Sequence, residues 1–237
     1  MYQSVFKRFE LKYLLTDAQK AAVLEAMEGY VRPDVYGKTT IRNLYFDTET
    51  YYLIRRSLEK PVFKEKLRLR SYRPVQEGEG VFAEIKRKYD SVVYKRRLVL
   101  PQEEALAWLS GKGDAPDGGQ IAQEISYFAS HYAPLSPKVF LAYDREAYEA
   151  KSQDGLRITF DTAIRARTEE LTLGGEAWGS ALLEEGRCLM EIKTFGAIPL
   201  WLCDVLSREK IYKTPFSKYG AAYTKLIYPN FSVKGAN

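Results

Sequence analysis

The chain has 237 residues, 46% of them hydrophobic, enough to build a substantial core, and this excludes a disordered polar tail. Lys plus Arg total 36 against 31 Asp plus Glu, a net charge of +5 that suits an anionic partner without naming one. Two cysteines without zinc-like spacing and a single histidine, His131, leave almost nothing for a disulfide framework, a Cys/His metal site or Ser-His-Asp catalysis.

Alternating, β-rich segments dominate the chain. Residues 5–15 read as the first strand, and Thr16-Asp17-Ala18-Gln19 forms a capping box that opens a helix running to about residue 28. Strands are expected at 39–47, 62–73, 81–89 and 92–100. Helical patterns follow at 101–110 and 120–131, separated by the loop "GKGDAPDGG" at 111–119, which lacks the spacing of a phosphate-binding P-loop. Strands at 137–149, 156–167 and 187–195 bring the total to eight, and helices at 199–207 and 218–227 close the chain. No linker divides it, so one domain over 1–237 is expected, and no apolar run approaches a signal core or a membrane span, which predicts a soluble, cytoplasmic protein. The fold class that follows is α+β: an eight-stranded antiparallel β-barrel with helices packed outside.

Every second position of most strands is charged. The series are Arg8, Glu10, Lys12; Lys64, Lys66, Arg68, Arg70; Glu84, Lys86, Lys88; Lys95 and Arg97, or Arg96 on the other parity; Arg145; Arg157, Thr159, Asp161; and Glu191, Lys193. The alternate positions are mostly apolar: Leu67, Leu69, Ala83, Ile85, Ile158, Phe160, Met190 and Ile192. One reading turns the charged faces to bulk water, as antiparallel sheets often do. The other has the helices cover the apolar faces, so that the charged faces enclose a hydrated, basic tunnel for a polyanion. Glu10, Glu84 and Glu191 then either hold a divalent metal, hard and oxygen-seeking, or form salt bridges to neighbouring cations.

These motifs are matched by a known family. "RFELKY" (8–13), "LYFDT" (44–48), "KLRLRSY" (66–72), "FAEIKRK" (82–88), "LAYDREAY" (141–148), "LRITFDT" (156–162), "MEIK" (190–193) and "PFSKYG" (215–220) occur in an order and spacing that resemble the VTC domain, the polyphosphate polymerases among the triphosphate tunnel metalloenzymes. The resemblance implies a basic tunnel in which the γ-phosphoryl group of ATP passes to a growing polyphosphate chain with a divalent metal, often Mn²⁺. By motif, Lys12, Arg68, Arg70, Lys86, Lys95 and Lys218 touch phosphate, joined by Lys66 and Arg97 on the same faces. Arg145 and Arg157 match phosphate-binding arginines and are assigned with Lys193 to catalysis. Glu191 matches the metal-binding glutamate. Arg8 stands where hydrolase and cyclase branches carry a first-strand glutamate, and Pro215 where a basic residue precedes "FSK", with Lys213 its candidate replacement. The alternatives are a tripolyphosphate or other phosphoanhydride hydrolase, and a non-catalytic polyphosphate- or inositol-phosphate-binding module. RNA binding through the 18 tyrosines is set aside, because many of them fall inside strands or helices, and no nucleic-acid partner is expected.

Overall fold

The computed structural model describes residues 9–90, 92–152 and 155–230. The chain packs as two compact units. Of the described residues, the first holds 9–40, 143–164 and 183–217, and the second holds 41–142, 165–182 and 218–230. The expected α+β class is present, and every strand pairing of defined register is antiparallel.

In the first unit β1 (Phe9–Thr16), β10 (Arg187–Thr194) and the larger parts of β8 (Arg157–Arg167) and β7 (Ser136–Ala150) lie in that order, with the short β2 (Val31–Pro33) on the end of β7. Their apolar positions are buried: Tyr13 and Leu15, Ile158 and Phe160, Met190 and Ile192. Helices α1 (Asp17–Met27) and α5 (Leu200–Arg208) cover this face through Val23, Met27, Leu202, Val205 and Leu206. The capping box that opens α1 is complete, with Gln19 N donating to Thr16 Oγ1 at 3.2 Å and Thr16 N to Gln19 Oε1 at 3.0 Å.

The second unit carries β3 (Thr39–Asp47), β4 (Phe63–Ser71), β5 (Gly80–Tyr89) and β6 (Val92–Pro101), in the order β7-β3-β4-β5-β6. Leu44, Phe46, Leu67, Leu69, Ala83 and Ile85 form a buried sheet face under α3 (Gln102–Leu109) and α4 (Gly119–His131), which contribute Trp108, Leu109, Ile125 and Phe128. In both units the helices therefore take the apolar faces and leave the charged rows on the opposite side of the strands.

Three elements go beyond the sequence expectation: β2, the two-residue β9 (Ser180–Ala181) on β8, and helix α2 (Tyr52–Leu58). Residues 5–8 of the expected first strand, Arg8 included, lie outside the described residues. The last helix, expected over 218–227, is α6 (Lys218–Ala222) running into a π-helical turn, Tyr223–Ile227. His131 is exposed at the end of α4 beside Tyr127. Among the described residues no helix is long and apolar enough to cross a membrane.

Helix α2 has no capping side chain at its own N-cap, Tyr51, which sits at φ +55. Its cap comes from the end of β3. Asp47, fully buried, accepts from Leu53 N at 2.9 Å, Ile54 N at 3.0 Å, Thr48 N at 2.8 Å and the Tyr219 hydroxyl at 2.9 Å. Asp47→Ala leaves four donors, three of them buried, without this acceptor, so urea unfolding is expected to show a loss of about 3 kcal/mol, with Asp47→Asn losing less. A loss under about 1 kcal/mol for Asp47→Ala would contradict the capping role.

Candidate functional site

In the second unit strand register sets the charged rows against one another. On β4–β6 one face carries Lys64, Lys66, Arg68 and Arg70, then Glu84, Lys86 and Lys88, then Lys95 and Arg97. Arg96 is on the other parity and pairs with Glu124 of α4 at 3.3 Å. Directly across the strands Lys64 meets Lys88, Lys66 meets Lys86, and Lys86 meets Lys95. Like charges in directly opposed positions oppose folding. The one carboxylate in this patch of β4–β6 is Glu84, 1% exposed, and three cations converge on it. Arg68 donates to Glu84 Oε2 from Nε at 3.0 Å and Nη2 at 2.8 Å, Lys95 Nζ lies 2.5 Å from Oε1, and Arg70 Nε lies 3.8 Å from Oε2.

Burial alone would push the Glu84 carboxyl up, but Arg68, Arg70 and Lys95 outweigh it and hold it down at about 2. Lys95 is pushed down by its own burial and by the two arginines, with Glu84 opposing. Neighbours from β3 complete the cluster. Tyr45 OH accepts from Arg68 Nη1 at 2.9 Å, and Asn43 Oδ1 accepts from Arg70 Nε at 3.0 Å while Asn43 Nδ2 donates to Leu141 O at 3.0 Å. Tyr219, the residue after Lys218 on α6, stacks on Tyr45 with ring centroids 4.5 Å apart, and Lys66 Nζ lies 5.9 Å from the Tyr219 ring. Lys218 thus occupies the first turn of a helix anchored through Tyr219 to Asp47. Arg97 lies over Phe82 at 5.0 Å.

In the first unit four strands, β1, β10, β8 and β7, bring a second charged cluster together. Lys12 stands opposite Glu191, Glu10 opposite Lys193, and Lys193 in turn opposite Arg157. Lys12 Nζ is 3.4 Å from Glu10 and 3.7 Å from Glu191, and donates to Phe216 O at 3.2 Å. Arg145 grips the fully buried Asp161 with both arms, Nε at 2.6 Å and Nη2 at 2.7 Å, and its Nη2 is 3.5 Å from Glu191. Burial would lower the Arg145 pKa, but Tyr143, Asp161 and Glu191 raise it well above its ordinary value, so the guanidinium stays charged. Arg157 pairs with Asp34 at 2.7 Å.

The structure thus gathers Glu10, Lys12, Arg145, Arg157, Glu191 and Lys193 in one unit, and Lys66, Arg68, Arg70, Glu84, Lys86, Lys95, Arg97 and Lys218 in the other. Lys213, the candidate replacement for the missing basic residue, is exposed and bridges Tyr13 of β1. Sequence reasoning left out Asn43, Tyr45 and Asp47, although their alternation put them on one face of β3, and it gave Asp161 no role. Among the described residues no group of three or more His, Cys, Asp or Glu side chains is placed to hold a metal unaided. Glu10 and Glu191 are nonetheless oxygen donors of the kind a hard divalent cation takes when substrate phosphates supply the remaining ligands.

The VTC domain family model matches residues 7–227. The chain belongs to the VTC domain family. Among solved structures, this VTC domain is similar to a putative adenylate cyclase from Bacillus halodurans, at 16% identity over 89% of this chain and 95% of that one, with a TM-score of 0.52. It is also similar to a putative adenylyl cyclase from Hippeastrum described as revealing a dominant triphosphatase activity, at 16% identity over 92% and 95% of the two chains, with a TM-score of 0.50. These likenesses concern the fold. No curated protein gives a significant match.

Glu84 carries a pH signature. Its folded carboxyl lies near 2 against an ordinary 4.5, so the stability it contributes is present above about pH 5 and is lost as pH falls toward 2. Glu84→Gln is expected to unfold at lower urea at neutral pH, by on the order of 3 kcal/mol, and to lose less stability than wild type on acidification. Parallel acid limbs for the two proteins would show that the ion cluster contributes nothing.

Proposed function

We propose that this VTC domain is a metal-dependent polyphosphate polymerase that transfers the γ-phosphoryl group of ATP to a growing polyphosphate chain. One observation carries the reading: the face of β4–β6 sets lysine directly against lysine three times, with the lone glutamate there already engaged by three cations. Such an arrangement opposes folding, and a bound polyanion relieves the repulsion.

Lys66, Lys86 and Lys95 supply ammonium charge along that face for successive phosphates. Arg68 and Arg70, held in plane by Glu84, Tyr45 and Asn43, supply the planar donors that suit phosphoryl oxygens. Arg97 and Lys218 extend the same basic surface. In the first unit Arg145, kept in orientation by Asp161, opposes charge building on a transferring phosphoryl group, with Arg157, Lys12 and Lys193 beside it. Glu191, with Glu10, would hold a divalent metal, Mn²⁺ or Mg²⁺, which supplies charge neutralisation to phosphate oxygens. Glu84 is assigned to organising the cations around it.

Phosphoryl transfer needs alignment and charge neutralisation more than proton abstraction. The terminal phosphate of a polyphosphate chain is ionised at neutral pH, so it attacks without a protein base. The absence of histidine other than the exposed His131 is therefore no obstacle.

The test is incubation of purified protein with ATP and Mn²⁺, resolving polyphosphate on a gel and assaying free phosphate in parallel. A ladder of long chains with little free phosphate is the expected result. Free phosphate without chains would replace the polymerase with a hydrolase. Tight polyphosphate binding with neither product would leave a binding module. Glu191→Gln is expected to abolish chain synthesis while its thermal unfolding stays within a few degrees of wild type; normal turnover in that variant would remove Glu191 from the metal role.

A further inference from the structure

Thr159 lies on β8 between Arg157 and Asp161, and alternation points all three side chains to the same face. Its neighbour across the strands is Glu191, which has Lys12 on its other side in the same register row. The residue is 1% exposed, yet its Oγ1 has no hydrogen-bond partner among the described residues. A buried hydroxyl is ordinarily bonded, and one that is not needs a reason. Ser71 Oγ is in the same condition, but it ends β4 on the side of Leu67 and Leu69, away from the cations of its strand. Thr159, by contrast, shares its face with Arg157 and Asp161 and stands across from Glu191. Arg145 lies 3.5 Å and Lys12 3.7 Å from Glu191, contacts well beyond the 2.6 Å of Arg145 to Asp161. Long contacts of this kind exchange readily for a better acceptor.

We propose that Thr159 is a phosphate-binding residue whose hydroxyl donates to a phosphoryl oxygen of a bound phosphoanhydride. The inference rests on the anion-site reading of the preceding subsection and adds a neutral donor to its cations. As Lys12 turns from Glu191 to the incoming anion while Asp161 keeps Arg145 in place, the oxygen that arrives beside Glu191 meets the Thr159 hydroxyl. No group among the described residues competes for this hydroxyl, so the worth of the bond goes into binding. Threonine suits the place because it keeps the β-branched shape a strand favours while carrying the donor.

Thr159→Val removes the hydroxyl and keeps the shape. Tripolyphosphate binding is measured by calorimetry with the metal chelated, beside the thermal unfolding of each ligand-free protein. The expected result is about tenfold weaker binding by Thr159→Val, restored in Thr159→Ser, with ligand-free unfolding at or above the wild-type temperature. A merely structural hydroxyl gives the opposite pattern: lower unfolding temperature and unchanged affinity. Affinity within twofold of wild type in Thr159→Val, as a resident water on the hydroxyl would give, overturns the inference while the anion site stands. Failure of wild type itself to bind tripolyphosphate, both with the metal chelated and with Mn²⁺ restored, overturns both.

Discussion

The buried carboxylate of Glu84 is the interaction on which the cationic face of the second unit depends. Removing a carboxylate from water is unfavourable, and only close cations make it tolerable. Three of them do so here, and the exchange works in both directions. Arg68, Arg70 and Lys95 keep Glu84 ionised, while Glu84 fixes where two guanidinium groups and an ammonium stand. The sheet then carries further lysines that the glutamate does not offset. Held arginines and neighbouring lysines have different uses: a planar fork in a set orientation selects phosphoryl geometry, whereas an ammonium on a flexible stem follows charge.

The pattern of two kinds of faces was readable in the chain because it rests on alternation, which is local. Leu67 and Leu69 against Arg68 and Arg70, or Ile192 against Glu191 and Lys193, leave little freedom in strand parity. Helix α1 was equally readable, since Thr16 and Gln19 satisfy each other three residues apart. What escaped was non-local. Helix α2 takes its cap from Asp47, at the end of the preceding strand, and its own N-cap is a tyrosine. The parity of β6 stayed open between Lys95 with Arg97 and Arg96, because all three are cationic; the contact of Arg96 with Glu124 decides it. Strands β2 and β9 are too short for alternation to register.

The site residues divide along the same line. Charged side chains in periodic rows announced themselves. Their neutral or opposite-charge partners did not, because a partner is defined by what lies across the strand. Asn43 looks like any strand asparagine until Arg70 stands opposite it, and Tyr45 gains meaning from Arg68. Asp161 was visible on the charged face of β8, but only its two-armed bond to Arg145 distinguishes it from a solvated acid.

Asp161 and Glu84 solve the same problem in different ways. Each is a fully or almost fully buried acid facing arginine. Asp161 engages one guanidinium with both oxygens, leaving Arg145 oriented and within reach of Glu191. Glu84 distributes its oxygens over three cations, which fixes several donors while neutralising each only in part. One-to-one pairing favours precise aim, and one-to-three sharing leaves net positive charge in place. The first arrangement sets the direction of a single donor group, and the second sets the charge of a whole sheet face.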